Sequence, residues 1–250
     1  MSEAVRVWTE IIFNFLYLIV IWGLVIAMIN RRNVVAQNDR GVALSLFLAF
    51  AFLAIGDTGH VGFRVIAYSL GSFDTHVRLF GYKVNLVALG SFTTAWTFTI
   101  FYVFMVFMWR ARFNKQLEFL AYLLLTAAVV RSLIMLFPAN EWNSLQIHEP
   151  WYTVRNVPLI LMQMGTAYLI IRDAKIFEDR TFLWIGIMIV ISLVCYVPVV
   201  ALVKTYPLVG MLMIPKTLAY LGIAIIGFRN LYGGKTVPGT VTCAMTGEIN

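Results

Sequence analysis

The chain has 250 residues, of which 61% are apolar or aromatic and only 12% are charged. Soluble domains carry roughly 25% charged residues, so this composition excludes a soluble globule and a disordered chain. The mean hydropathy of +0.84 and the formal charge of +7 indicate a membrane protein with basic loops, and they exclude a nucleic-acid-binding module.

Seven apolar segments are each long enough to cross a bilayer, because about 20 helical residues span roughly 30 Å of hydrocarbon. We predict an all-α, polytopic seven-helix bundle that forms a single domain over residues 1–230, followed by a short flexible cytoplasmic tail at 231–250. The solid apolar blocks do not have the alternating pattern of a transmembrane β-barrel. The predicted helices cover residues 11–30, 42–70, 84–108, 117–137, 154–171, 182–203 and 206–228.

The basic residues of the loops predict how the bundle is oriented. Eleven lysines and arginines follow the first, third, fifth and seventh predicted helices, whereas four lie on the opposite side. By the positive-inside rule, the N-terminus lies outside and the C-terminus in the cytoplasm. We expect a multi-pass protein of the cell membrane, in a bacterial plasma membrane, with membrane lipids as partners; the sequence predicts no oligomeric state.

The second predicted helix carries three polar residues on one face. Asp57, His60 and Arg64 are spaced three and four residues apart, which places them on one stripe of a helix. Gly56 and Gly59 allow another helix to approach that stripe closely. A charged residue inside a membrane costs free energy, so the stripe indicates either a functional site or a brace between helices.

The fourth and fifth predicted helices add two arginines and two amides. Arg131 lies in the outer half of its helix, and Arg155 begins the next one, where it could alternatively extend its charge toward the headgroups. Asn156 and Gln163 are seven residues apart and share a face. Glu141, in the connecting loop, is the predicted partner of either arginine.

The seventh predicted helix carries Lys216 near the membrane midplane, directly after Pro215. The proline is expected to free a backbone carbonyl and to kink the helix beside the lysine. Asp57 lies at a similar depth, so Lys216 is either a functional amine or half of a structural ion pair with Asp57.

Three softer candidates come from the third and sixth predicted helices. Tyr196 lies beside a proline and is a candidate polar wall residue of the cavity. Thr94 and Thr97 either line the cavity or pack between helices by bonding their own backbone.

The buried charges of this set do not balance. Four predicted intramembrane cations, Arg64, Arg131, Arg155 and Lys216, face one buried carboxylate, that of Asp57. An anion from outside the chain is the simplest source of the missing charge, and arginine suits phosphate, sulfate or carboxylate groups. We therefore predict a cationic intramembrane pocket, open to the outer side, that binds an anionic small molecule or lipid headgroup.

Five short motifs stand out between the second and the seventh predicted helix. They are GDTGH at 56–60 with Arg64, TFTIFY at 97–102, YTVRNVP at 152–158, YVPVV at 196–200 and GMLMIPKT at 210–217. These motifs resemble those of a family of uncharacterised bacterial seven-helix membrane proteins. The resemblance implies the seven-helix fold and the choice of residues from the second to the seventh helix, and it implies no activity.

Three functions remain open from the sequence. The first is a metal-independent acid–base enzyme, in which His60 shuttles a proton, Asp57 orients His60 and Lys216 stabilises negative charge. In that enzyme the three arginines hold the anionic substrate. The second is a proton-coupled carrier or receptor for the same anion, and the third is a purely structural bundle.

No cofactor or metal is predicted. Of the three histidines, His76 and His148 lie in predicted outer loops, so a buried zinc site is not expected. The two cysteines, one in the sixth predicted helix and one in the tail, cannot build such a site either. A retinal protein would use a helix-seven lysine such as Lys216. That family also needs a carboxylate four residues earlier, where this chain has Leu212, and an acidic residue in the third helix, which has none.

Overall fold

A computed structural model of the chain describes residues 3–72, 74–79 and 81–233. Most of the predicted tail, from residue 234 onward, lies outside the described residues. Seven long helices make up the fold, in the order α1 (Glu3–Asn30), α2 (Arg40–Ser69), α3 (Leu86–Arg112), α4 (Phe119–Leu136), α5 (Trp151–Ile176), α6 (Arg180–Leu202) and α7 (Met213–Tyr232).

All seven helices are long and apolar enough to cross a membrane. Of these spans, only that of α5 is more than half buried inside the protein, at 56%. The other helices present wide apolar faces on the outside of the bundle, where Phe15, Phe119 and Leu133 are exposed. Such a surface suits hydrocarbon and not water. The chain is therefore a multi-pass membrane protein.

The helices α2 and α3 form the most extensive helix pair of the bundle. Gly90 leaves so little room that a Cβ atom there would lie 2.9 Å from the carbonyl oxygen of Gly59. The Thr94 hydroxyl donates to the carbonyl oxygen of Gly56 across the same interface, at 2.9 Å. The close approach predicted at Gly56 and Gly59 is confirmed, and small residues on both helices permit it.

Two short strands, β1 (His76–Leu79) and β2 (Tyr82–Asn85), form an antiparallel hairpin between α2 and α3. Gly81 turns the chain at a φ of 87°, which glycine adopts without strain. The prediction of an all-α chain is wrong at this point, although helices still dominate. We call the side of the bundle that carries the hairpin the hairpin end.

The loop between α4 and α5 is fastened to this hairpin by Asn143. The Asn143 carboxamide accepts from the backbone N–H of Asn85 at 2.6 Å and donates to the carbonyl oxygen of Lys83 at 2.8 Å. The Asn85 side chain in turn caps α3 by accepting from the backbone N–H of Ala88, at 3.0 Å. The loop and the start of α3 are thus held in one arrangement.

A 3₁₀ helix, Pro207–Leu212, precedes α7, so that α7 begins later in the chain than predicted. Pro215 lies in the first turn of α7, where backbone N–H groups have no partner within the α-helix. The predicted kink in the middle of the helix is therefore absent. Lys216 follows in the same turn and is 3% exposed.

The opposite side of the bundle, which we call the network end, is joined by ion pairs. Arg172 on α5 binds the carboxylates of Glu118 and Asp173, at 2.5 and 2.8 Å. Trp109 on α3 donates its indole N–H to the fully buried Asp173, at 2.7 Å. Arg112 connects Asp39 and Asp179 in the same way, at 3.0 and 2.8 Å.

Candidate functional site

A cavity of about 390 Å³ opens at the hairpin end, between α2, α3, the start of α5 and the loop before α5. We call it the vestibule. Two of the predicted ligand-binding arginines, from different helices, line its wall. Its main polar lining residues are Arg64, Ser91, Asn140, Glu141, Tyr152 and Arg155.

Arg155 is held in the vestibule by aromatic rings and an amide. Its guanidinium carbon lies 4.0 Å from the ring centre of Trp142 and 5.2 Å from that of Tyr152. It also donates to Asn140 Oδ1 at 3.5 Å. Trp142 is itself fixed, because its indole N–H donates to the carbonyl oxygen of Met135 at 2.7 Å.

Glu141 does not pair with either arginine, contrary to the prediction. Its carboxylate lies 3.3 Å from His148 Nε2, within the same loop. The backbone of Glu141 adopts a left-handed conformation, with φ 46° and ψ 49°. The local turn thus directs this carboxylate to a neighbour in its own loop. Glu141 therefore forms no ion pair with Arg131 or Arg155.

Arg131 lies deeper, behind the vestibule wall, and is 2% exposed. Its guanidinium donates to the carbonyl oxygens of Arg155 at 3.0 Å and Ala95 at 2.6 Å, and to the hydroxyl of Thr99. Among the described residues no carboxylate forms an ion pair with Arg131 or Arg155. Backbone dipoles hold this buried cation between α3, α4 and α5.

A chain of contacts continues from the vestibule wall to Lys216. Asn156 donates to the carbonyl oxygen of Tyr152 at 2.8 Å and accepts from the hydroxyl of Tyr196, also at 2.8 Å. The Lys216 ammonium lies 4.0 Å from the Tyr196 ring centre and 4.4 Å from that of Phe98. The structure thus brings together Asn156, Tyr196 and Lys216, although none of the three lines the vestibule.

Asp57 and His60 face the bundle from α2 but do not bind each other through a hydrogen bond. The Asp57 carboxylate accepts from the hydroxyl of Tyr17 on α1, at 2.9 Å. His60 Nδ1 is buried and has no hydrogen-bond partner among the described residues. Asp57 interacts with Lys216 only over a longer range, outside ion-pair contact. Of the two alternatives that the sequence leaves open for Lys216, the structural ion pair with Asp57 is therefore not formed.

The two threonine candidates belong to the α2–α3 interface. Thr94 binds Gly56 as described above and also donates to the carbonyl oxygen of Gly90 in its own helix, at 3.1 Å. Thr97 donates to the carbonyl oxygen of Thr94 at 3.1 Å. Of the two readings left open by the sequence, the hydrogen bonds favour packing, and neither threonine lines the vestibule.

Gln163 lies seven residues beyond Asn156 on α5 and is fully buried. Neither its amide nitrogen nor its oxygen has a hydrogen-bond partner among the described residues. Sequence reasoning selected Gln163 from its spacing, but it missed Tyr17, Asn140 and Tyr152. These three are uncharged, and Asn140 lies in a short 3₁₀ helix of the loop before α5, so only the folded chain reveals their role.

No protein-family model matches the chain, and no curated protein or solved structure is significantly similar to it. Among the described residues no three His, Cys, Asp or Glu side chains are grouped so that they could hold a metal ion.

Proposed function

We propose that this protein binds an anionic ligand in the vestibule. The observation that carries the proposal is that Arg64 and Arg155, from different helices, line one cavity, while Arg131 lies directly behind Arg155. The local carboxylate, that of Glu141, is engaged with His148. An oxyanion between the arginines would accept hydrogen bonds from both guanidinium groups.

The environment of Arg155 suits recognition of an oxyanion. A guanidinium held over aromatic rings uses its face for that contact, and its N–H edge remains able to bind phosphate or carboxylate oxygens. Ser91, Asn140 and Tyr152 add neutral hydrogen-bonding groups to the same wall. The chemistry fits a phosphate, sulfate or carboxylate group better than a neutral ligand.

The ligand is either the headgroup of an anionic lipid or a free oxyanion of the same chemistry. The vestibule also has apolar lining residues, Val87, Leu145 and Ile147, which favour a lipid-linked ligand. The loop charges support an outward-facing hairpin end and a cytoplasmic network end, and we expect the membrane to be a bacterial plasma membrane. The motif resemblance to bacterial seven-helix proteins agrees with this location and adds no activity.

We propose that the protein binds this anion without changing it chemically. The three residues predicted as catalytic, Asp57, His60 and Lys216, do not line the vestibule, and Asp57 is bound by Tyr17 and not by His60. An acid–base reaction would need these groups around the ligand's reacting atoms. The geometry therefore favours a carrier or receptor over an enzyme.

The test compares Arg155→Gln with Arg110→Gln, which removes an exposed arginine near the network end of α3. Binding of radiolabelled inorganic phosphate to the purified protein is measured by scintillation proximity. Retention of phosphatidylglycerol against phosphatidylcholine is measured in parallel by native mass spectrometry. A hydrogen bond to a charged group contributes about 1.5–3 kcal/mol, so Arg155→Gln should weaken binding roughly 10- to 100-fold.

The two measurements separate the ligand sources. Phosphate binding that depends on Arg155 indicates a free oxyanion, and retention of phosphatidylglycerol alone indicates a lipid headgroup. Equal binding of both probes by the wild type, Arg155→Gln and Arg110→Gln would contradict the proposal.

A further inference from the structure

Polar side chains continue along α5 beyond the vestibule, on the face that is turned into the bundle. Asn156, Gln163, Thr166 and Asp173 lie within about 100° of one helix face, and each is at most 6% exposed. Asn156 and Asp173 have hydrogen-bond partners in the protein. The two residues between them, Gln163 and Thr166, do not.

Several buried polar atoms without hydrogen-bond partners lie in this part of the molecule. Gln163 Nε2 and Oε1, Thr166 Oγ1 and Ser192 Oγ are all buried without a hydrogen-bond partner among the described residues. A buried polar group without a partner costs about 1–3 kcal/mol, and native proteins rarely leave one unbound. Four such atoms on two neighbouring helices indicate a shared binding partner that is not a protein side chain.

Ser192 and Gln163 lie at the same depth in the bundle. The helices α5 and α6 run in opposite directions, and two contacts define their register: Tyr196 with Asn156, and Gly186 with Ile170. Counting residues from these contacts places Ser192 level with Gln163.

The hydroxyls of Tyr102 and Tyr220, which lie 2.5 Å apart, belong to the same region. The Ser192 side chain lies near both tyrosine hydroxyls, but its Oγ atom forms no hydrogen bond to either. Tyr220 is also one of the rings around Lys216, with its centre 5.9 Å from the ammonium nitrogen.

Lys216, like Gln163 and Thr166, has no hydrogen-bond partner among the described residues. An ammonium has three N–H donors, and this one forms no hydrogen bond or ion pair with any described residue, only the ring contacts given above. The contacts of Tyr196 with Lys216 and of Asn156 with Tyr152 connect this group to the vestibule wall. A continuous line of polar groups thus runs from the vestibule to Thr166.

The line ends toward the network end. Between Thr166 and Asp173, α5 contributes Leu169 and Ile170, which are fully buried. These apolar side chains separate the unpartnered polar groups from the ion pairs around Asp173.

We propose that a track of internal water molecules runs from the vestibule past Lys216 to Gln163, Ser192 and Thr166, and ends at the apolar layer. Water is the ligand that fits, because each buried water makes two to four hydrogen bonds and serves donors and acceptors alike. The Gln163 amide offers both kinds, as do the hydroxyls. The track does not depend on an anion in the vestibule.

Radiolytic footprinting of the full-length protein in lipid nanodiscs with ¹⁸O-labelled water tests this directly. Hydroxyl radicals formed from bound water oxidise the aromatic side chains next to it. We expect severalfold more label on the buried Tyr102 and Tyr220 than on Phe50, which is equally buried in the apolar core. Tyrosine label no higher than that of Phe50 would overturn the proposal, and this comparison needs no variant.

A second arm assigns the water to the named residues. Gln163→Met keeps the volume of the side chain and removes its amide, so the label on Tyr102 and Tyr220 should fall toward that of Phe50. Met164→Leu, on the exposed face of the same helix, should leave the label unchanged. Unchanged tyrosine label in Gln163→Met would overturn the assignment of the water to this track.

Discussion

Asp57 lies in the middle of a membrane-spanning helix, and its direct partner is a tyrosine on α1. The bond from the Tyr17 hydroxyl, 2.9 Å long, satisfies the carboxylate without a second charge. Lys216 meets aromatic rings in place of a carboxylate. The two opposite charges of α2 and α7 thus have separate environments, which explains why a cation and an anion at similar depth do not pair.

A double-mutant cycle should show this separation. We expect Tyr17→Phe and Asp57→Asn to be coupled by about 0.5–3 kcal/mol in the free energy of unfolding, because the first removes the hydrogen bond and the second removes the charge that strengthens it. Asp57→Asn and Lys216→Met should be coupled more weakly, since no direct contact joins them. Unfolding in detergent micelles measures both cycles, and a larger coupling for the second pair would show that the ion pair exists.

At the scale of elements, the packing of α2 against α3 fixes where Arg64 and the start of α3 lie in the vestibule. The interface is built from backbone contacts and threonine hydroxyls, so side-chain adjustment cannot relieve an added atom. A Cβ at Gly90 would meet the carbonyl oxygen of Gly59 at 2.9 Å and the Cα of His60 at 3.0 Å.

Gly90→Ala should therefore separate the two helices and destabilise the protein. Overpacking of this kind costs about 1–3 kcal/mol, which should lower the thermal midpoint in detergent. Gly62→Ala is the matched control on α2, because a Cβ there meets nothing within 4 Å. Alanine's higher helix propensity should leave Gly62→Ala as stable as the wild type or more so. Equal midpoints for Gly90→Ala and the wild type would disprove the close approach.

At the scale of the whole molecule, the two ends of the bundle are built differently. The hairpin end holds cations that have no ion-pair partner among the described residues, Arg131 and Arg155, whereas Arg112 and Arg172 at the network end are paired with carboxylates. The network end fastens α3, α4, α5 and α6 together, and the hairpin end leaves an open cavity.

Asp173 is the centre of the network end, and its charge should be needed for stability. Asp173→Asn keeps an acceptor for the Trp109 indole but weakens the bonds from Arg172 and Lys115. We expect a loss of about 1.5–3 kcal/mol in the free energy of unfolding. Glu178→Gln, at an exposed position in the turn after α5, should stay within about 0.5 kcal/mol of the wild type. A stable Asp173→Asn would refute this role.

The sequence was enough to predict the number of helices and the close contact at Gly56 and Gly59, because span length and small residues act locally. It did not predict the partners of Asp57, Glu141 or Lys216. Hydropathy defines which segments cross the membrane but not which helix faces which. The hairpin was missed for another reason: strands of four residues each are too short for alternation to stand out.

Asp173 was also missed, because it stands beside Arg172 at the end of a helix and looks like part of a solvated loop. The arginines that the sequence assigned to topology, such as Arg112 and Arg172, have a structural role as well.

The measurement that tests the vestibule proposal most directly is the experimental density of the protein purified from its own membrane. We predict an oxyanion, free or as a lipid headgroup, within hydrogen-bond distance of the guanidinium groups of both Arg64 and Arg155. Density for water alone in the vestibule, or an anion bound away from both arginines, would contradict the account.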